Sequence, residues 1–118
     1  MSLIQNLFFS SLLFIFIVKP LSAQDKKVSK DSLESLFNNS ITLFNDYNYH
    51  EGIQTSMRLI ELAELVESNY FLYHGHNNLG VAYEELGDTM RAKTHYEKSL
   101  VFAKATQNDN LIMWSYNN

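Results

Sequence analysis

Apolar side chains recur three and four positions apart from residue 31 onward, as they do along one face of an α-helix. Two runs of large side chains carry the pattern: Leu33, Leu36, Phe37, Ile41 and Phe44, then Leu72, His76, Leu79, Tyr83 and Leu86. No proline interrupts this stretch, and strictly alternating runs between turn residues are absent. The pattern predicts an all-α fold, with helices over 32–46, 49–66, 70–86 and 89–105 and a fifth starting near residue 110.

Polar residues at the predicted helix starts agree with this pattern. Asp31 precedes Glu34 and Asn48 precedes Glu51, which is the spacing of capping boxes, and Asp88 stands before the fourth helix. The predicted links have two to four residues, so neighbouring helices are expected to run antiparallel.

The chain is similar to itself after a shift of forty residues. Under this shift Gly52 falls on Ala92, and the segment 70–72 falls on 110–112. A period of this length predicts helix pairs stacked in an array. The predicted repeats are a first over about 32–67, a second over about 70–106 and the beginning of a third over about 110–118.

The second repeat resembles a tetratricopeptide repeat, which implies an α-solenoid of antiparallel helix pairs. The residues that carry the resemblance are Leu79, Gly80, Tyr83, Gly87, Ala92, Tyr96 and Leu100. The resemblance implies that Gly80 and Ala92 let two helices approach closely while Tyr83 and Tyr96 fill the space beside them. Glycine inside a helix costs about 1 kcal/mol relative to alanine, so Gly80 is expected to make a close helix contact.

The first repeat departs from the family pattern. Asn39-Ser40 stands where Leu-Gly is usual, and Ser56 replaces the aromatic residue. The forty-residue period also exceeds the usual length of about 34, and the family's closing proline is missing. The long period and the missing proline resemble the longer repeats in the exported N-terminal region of bacterial sensor histidine kinases.

Residues 7–18 are apolar apart from two serines and carry no charge. A helix of that length reaches about 18 Å, well short of the hydrocarbon core of a membrane at about 30 Å. Lys19-Pro20 follows, and Ala23 precedes polar chain. We therefore expect a signal peptide over 1–23 that is cleaved after Ala23, a polar linker over 24–30 and export to the periplasm or cell envelope. An uncleaved membrane anchor is the alternative.

Composition narrows the classes of function. The chain has no cysteine, which excludes disulfides, a thiol nucleophile and a lipid-modified cysteine. Its formal net charge is −4, and Lys19 is the only charged residue of the predicted signal. Basic residues are scattered through the remainder, so we expect neither a nucleic-acid partner nor attraction to anionic membranes.

The sequence gives little support to an enzyme. His74 and His76 are two positions apart on a predicted helix and point about 160° apart, so they are not expected to share a metal ion. The carboxylates at 61, 64, 67, 84 and 85 follow solvated faces, and no phosphate-binding glycine loop or strained nucleophile turn is present. We expect no catalytic residue, cofactor or metal in this segment. A metal- or carboxylate-dependent enzyme is the least favoured alternative.

The resemblance implies a ligand groove lined by the first helix of each pair. The residues expected there are Glu34, Phe37, Ile41 and Phe44, then His74, Asn77, Val81 and Glu84, then Trp114 and Asn117. The amides of Asn77 and Asn117 would hold the backbone of an extended peptide. The alternative is that the apolar members simply pack against neighbouring helices.

The resemblance implies an exported scaffold that binds a protein or peptide, as the sensory part of a longer bacterial signal-transduction protein. A free-standing envelope scaffold is the alternative. A membrane helix and coiled coil after residue 118 would favour the first, and a polar capping helix the second. The apolar residues Leu100 and Val101 and the segment 111–113 are expected to be covered by further repeats or another chain, and no membrane span is expected after residue 23.

Overall fold

Five α-helices, without a β-strand, make up the part of the chain that the computed structural model describes, residues 27–117. They are α1 (Lys30–Asn45), α2 (Tyr49–Leu65), α3 (Asn69–Glu85), α4 (Thr89–Thr106) and α5 (Asp109–Tyr116). The all-α prediction is confirmed for these residues, and the predicted helix ends lie within two residues of the observed ones. The predicted signal 1–23 and the linker up to residue 26 lie outside the described residues.

The helix caps differ from the predicted ones at two of three positions. The first helix is capped by Ser29, whose hydroxyl accepts the backbone N–H three residues later at 3.1 Å, so Asp31 lies inside the first turn. Asn48 precedes α2 without a side-chain capping hydrogen bond. Both predicted capping boxes are therefore wrong. Asp88 is confirmed, because its Oδ1 accepts the backbone N–H of Arg91 at 3.0 Å.

A residue with left-handed backbone recurs every twenty positions, once in each link between helices. These residues are Tyr47 (φ 61°), Glu67 (φ 53°), Gly87 (φ 77°) and Gln107 (φ 56°). In the first three links the next N–H donates to the carbonyl five positions earlier, at 2.8 to 2.9 Å. This is the Schellman motif, which ends a helix and reverses the chain. The four links thus space the helices evenly.

Contacts between α3 and α4 establish that these two helices run antiparallel. The guanidinium of Arg91 lies over the ring of Tyr83, and the ring of Phe102 is stacked on that of His76. Residue numbers therefore fall along α3 as they rise along α4. The fully buried side chain of Leu79 lies between these two contacts along α3.

The first and third helices lie side by side and parallel. The Phe37 and His74 ring centroids are 4.4 Å apart, and Nδ2 of Asn78 donates to Oγ of Ser40 at 2.9 Å. Both pairs join residues 37 or 38 positions apart, so the numbers rise together along the two helices. The second helix contacts both α1 and α3, and α4 contacts both α3 and α5. Consequently α3 is the central helix of the described region.

Each of the first three helix contacts contains a glycine covered by a large side chain of the neighbouring helix. The pairs are Phe44 on Gly52, Ile60 on Gly75, and Tyr96 on Gly80. A Cβ at Gly80 would lie 2.6 Å from two ring carbons of Tyr96. That distance is too short for real atoms, so the helices approach this closely only because Gly80 has no side chain. Ala92, expected opposite Gly80, packs in the same buried cluster with Leu79 and Tyr83.

The two helix pairs achieve close contact with different residues. At the positions of the first pair that correspond to Gly80 and Tyr96, the chain has Ser40 and Ser56, both fully buried. The aromatic ring is supplied one turn later by Phe44, and it lies on Gly52 of α2. The large residue has therefore moved from the second helix of the pair to the first.

We predict that Gly80→Leu unfolds the second helix pair, because the new side chain would need the space of the Tyr96 ring. Overpacking of this kind should lower the free energy of unfolding by about 3 kcal/mol or more. Urea denaturation followed by circular dichroism measures the loss. Val81→Leu, on the neighbouring and 37% exposed position, is the control and should change stability by about 0.5 kcal/mol or less. An unchanged melting temperature for Gly80→Leu would contradict the helix contact.

A second prediction concerns the left-handed links. A Cβ at Gly87 would meet nothing within 4 Å, so Gly87→Ala should lose only the backbone term, about 1 kcal/mol. Glu67→Gly makes the opposite change in the preceding link and should gain up to about 1 kcal/mol. Both are measured by urea denaturation. Changes of the same sign in the two variants would show that the links are not equivalent.

Candidate functional site

The adjacent faces of α1 and α3 bring together five of the residues predicted to line a groove. Phe37 contacts His74, and farther along the helices Phe44 and Val81 line one cavity. Ile41 and Val81 are each 37% exposed. The structure therefore places apolar surface on neighbouring parallel helices, and we call this surface, with Phe37, Ile41, Phe44, His74 and Val81, the α1–α3 face.

Two predicted carboxylates are engaged within the protein. Oε1 of Glu34 lies 3.3 Å from the ammonium of Lys30, one turn earlier on α1. Oε2 of Glu84 accepts a hydrogen bond of 2.6 Å from the hydroxyl of Tyr96 on α4. Desolvation and this hydrogen bond raise the pKa of Tyr96. Glu84 therefore reaches towards α4.

The remaining predicted groove residues are divided between α3 and α5. Asn77 is half-buried on α3, whereas the neighbouring Asn78 makes the hydrogen bond to α1. Trp114 on α5 is 68% exposed, and Asn117 is the C-cap residue of that helix. Ser115 on α5 is buried, and its hydroxyl donates to the carbonyl of Leu111 at 2.8 Å. The proposed pairing of the Asn77 and Asn117 amides remains a prediction.

His74 is part of an aromatic cluster. Three ring centroids lie 4.4 to 4.7 Å from that of His74, and they belong to Phe37, Tyr70 and Tyr73. Its Nε2 is buried and has no hydrogen-bond partner. Burial lowers the pKa of His74 to about 4. The imidazole is thus neutral at pH 7 and acts mainly as a packing group between α1 and α3.

A continuous stack of planar groups fills the contact between α3 and α4. In order, it contains Phe102, His76, His95, Tyr83 and the guanidinium of Arg91. Successive ring centroids are 5.3 to 5.6 Å apart, with planes within 25° of each other. The guanidinium carbon is 4.4 Å from the last ring centroid. We call this arrangement the ring stack.

A histidine pair lies at the centre of the ring stack. Nδ1 of His76 and Nδ1 of His95 are 3.0 Å apart, so the Nδ1–H of one ring donates a hydrogen bond and Nδ1 of the other ring accepts it. Burial lowers the pKa of His76 to about 4, and desolvation followed by the Lys98 and Arg91 charges lowers the pKa of His95. His76 is 7% exposed, so its imidazole is a packed core group. His95 was not predicted because only the antiparallel alignment of α3 and α4 brings the two rings together.

An open cavity of about 350 Å³ lies where the first link meets α3. Its lining residues are Phe44, Asn45, Tyr47, Tyr49, Val81 and Glu85. The Tyr49 ring centroid is 6.3 Å from those of Phe44 and Tyr47, the first nearly parallel and the second edge-on. We call this cavity the aromatic cup. It combines three aromatic rings with one carboxylate and no basic side chain.

A larger cavity, of about 530 Å³, lies near the other end of the α1–α3 face. It is lined by Val28, Lys30, Leu33, Glu34, Val66, Ser68, Tyr70 and Phe71. Its charged residues are the ion-paired Lys30 and Glu34. With both charges already paired, this cavity presents mainly apolar surface.

Residues 27–117 contain neither a candidate metal site nor a helix that could span a membrane. No group of three or more histidine or carboxylate side chains there is placed to hold a metal ion. None of the described helices is both long and apolar enough to cross a bilayer. Glu61, one of the carboxylates considered above, lies 2.7 Å from the guanidinium of Arg58 at the surface.

Known proteins offer no assignment for the chain. No protein-family model, curated protein or solved structure matches it. Its function is therefore inferred from the α1–α3 face, the ring stack and the aromatic cup.

The histidines predict a loss of stability in mild acid. The folded pKa values of His74 and His76 lie near 4, below the unfolded value of about 6.5. Their contribution is therefore complete above pH 6.5 and is lost as the pH falls towards 4. Allowing for partial exposure, we expect the free energy of unfolding to fall by about 1 kcal/mol per histidine between pH 7 and pH 5.

Urea denaturation at both pH values measures this loss. His76→Phe should reduce the difference between the two pH values, because the ring stack is kept while the titrating group is removed. His50→Gln, a change at an exposed position at the start of α2, is the control and should keep the native pH dependence. If His76→Phe keeps it as well, the histidine pair is not its source.

Proposed function

We propose that residues 27–117 form a tetratricopeptide-like array of helix pairs that binds a protein or peptide on the α1–α3 face. The observation that carries the proposal is the parallel packing of α1 with α3. In this packing Phe37 contacts His74, and the amide of Asn78 donates a hydrogen bond to the hydroxyl of Ser40. In such arrays the first helices of successive pairs lie side by side and create an extended surface for ligands. The left-handed residue at every twentieth position supports the same architecture.

The chemistry of the α1–α3 face is suited to a peptide. Ile41 and Val81 expose part of their side chains between the polar ends of the face, and Trp114 exposes more on α5. Exposed aliphatic and aromatic side chains of this kind provide the anchors of binding interfaces. Polar groups at the ends, such as Glu34, would fix the register of a bound chain. A peptide could therefore be held by these apolar and polar contacts alone, without a catalytic group.

We further propose that this array is the exported, sensory part of a bacterial signal-transduction protein. The apolar segment 7–18 and the small Ala23 support export. The resemblance of the forty-residue period to the repeats of sensor kinases supports the sensory role, and this part of the proposal is analogy. Binding at the α1–α3 face would be the input to such a protein.

A peptide-display selection against the immobilised full chain tests the binding role. Peptides selected on the native chain should bind at least about tenfold more weakly to Ile41→Asp, because a desolvated charge at an anchor position costs more than about 1.4 kcal/mol. Val101→Asp introduces the same charge on α4, where the side chain is 63% exposed. It is the matched control and should bind within about twofold of the native chain.

Circular dichroism verifies that both variants are folded. Equal losses for Ile41→Asp and Val101→Asp would place binding elsewhere than on the α1–α3 face. Failure to select any peptide that depends on Ile41 would contradict the proposed function itself.

A further inference from the structure

We propose that the aromatic cup binds an arginine side chain of the peptide partner, an inference that rests on the proposed peptide-binding function. Three aromatic rings and the Glu85 carboxylate surround the cavity. The faces of aromatic rings carry negative charge density and attract cations. A guanidinium group is planar, stacks on such rings and binds a carboxylate through two hydrogen bonds. The cup offers both kinds of contact.

Charge complementarity favours a cation over an apolar group. Among residues 27–117, Glu85 is the one charged residue that lines the cup, and no basic side chain lines it. Desolvation, and after it the Glu85 charge and Tyr47, raise the pKa of the Tyr49 hydroxyl. The carboxylate therefore acts on the same space that the rings enclose. Its charge would be balanced by the ligand.

The second helix pair binds a guanidinium of its own with the same chemistry. Arg91 lies over the Tyr83 ring at 4.4 Å, and its Nε donates to Oδ2 of Asp88 at 2.6 Å. Forty residues earlier, Glu51 takes the place of the arginine, so the first pair has no equivalent internal cation. Its aromatic residues are arranged around an open cavity instead. A ring and a carboxylate thus already hold an arginine once in this fold.

The exposure of the Tyr47 ring is a second observation. The side chain of Tyr47 is 78% exposed although it lines the cup together with Phe44 and Tyr49. Its left-handed backbone (φ 61°) is shared with Glu67 and Gln107 in two other links, so this conformation belongs to the links and not to the cup. An exposed aromatic ring at the edge of a cavity is a surface that a ligand cation can cover.

The cup is continuous with the α1–α3 face. Phe44 and Val81 line the cup and belong to that face as well. A peptide that lies along α1 and α3 would reach the cup with one side chain at the end of the face. The arginine would then fix the register of the peptide.

Titration of the full chain with a short peptide tests the proposal. The probe is acetyl-Gly-Arg-Gly-amide, and its partner is the same peptide with citrulline, which has nearly the shape of arginine without the charge. Proton NMR of the aromatic rings reports where each binds. We expect the arginine peptide to shift the rings of Phe44, Tyr47 and Tyr49, with a Kd on the order of 1 mM. The citrulline peptide should bind at least about tenfold more weakly.

Two variants and two controls locate the site. Glu85→Gln should weaken binding of the arginine peptide about fivefold or more, because it removes the charge and keeps the shape. Tyr47→Gly should also weaken binding, yet its melting temperature should be no lower than that of the native chain. Glu64→Gln controls for loss of an exposed carboxylate. Glu67→Gly makes the same backbone change in another link, and both controls should bind as the native chain does.

Three results would overturn the proposal. They are equal binding of the two peptides, unaltered binding to Glu85→Gln, and tighter binding of tetramethylammonium than of the arginine peptide, which would indicate a site for a free quaternary ammonium ligand. Ile41→Asp, outside the cup, separates this proposal from the proposed function. If displayed peptides are indifferent to Ile41→Asp while the tripeptide still shifts the cup rings, the binding face is wrong and the cup stands. The opposite outcome leaves the face and removes the cup.

Discussion

The fold depends on helices that approach one another closely enough for a large side chain to rest on a glycine. Three of the helix contacts have this form, with Phe44, Ile60 and Tyr96 each covering a glycine of a neighbouring helix. Helix interiors with glycine are weaker by about 1 kcal/mol relative to alanine, so each contact must return more than it costs. The return is close packing, because a shorter distance between helices buries small and large side chains together. Leu59 and Ala63 on α2 and Ala82 on α3 are fully buried as a consequence.

Close packing around α3 also brings the functional features into position. Since α3 contacts α1 on one side and α4 on another, a change in its distance from either helix would alter the α1–α3 face and the ring stack together. The stack contains two neutral histidines that are joined by a hydrogen bond between their Nδ1 atoms, 3.0 Å apart. Its integrity is thus coupled to protonation as well as to packing. The α1–α3 face, which would bind a peptide, and the ring stack therefore depend on the same contacts of α3.

Much of the fold was predictable from the sequence, because helix periodicity and turn spacing are local properties. The all-α class and the helix ends follow from residues within a turn of each other. The cap of α1 was harder to predict, because Ser29 and Asp31 lie two positions apart and the observed cap is Ser29. The candidate site was less predictable. The predicted repeat has a period of forty residues, but neighbours across α1 and α3 are 37 or 38 apart, as in Phe37 with His74. Repeat alignment alone therefore could not join Tyr47 to Glu85, and it could not pair His76 with His95.

The two links after α1 and α3 show how one local structure can serve different ends. In the later link, Gly87 relieves the left-handed backbone, and Arg91 covers the nearby ring and pairs with Asp88. In the earlier link a tyrosine occupies the left-handed position, as Glu67 and Gln107 do in two other links. Tyr47 differs from these two residues because its exposed ring lies with Phe44, Tyr49 and Glu85 around one cavity, and no basic side chain among residues 27–117 lines that cavity. Aromatic rings beside a carboxylate, in an acidic protein with a net charge of −4, favour a basic partner there.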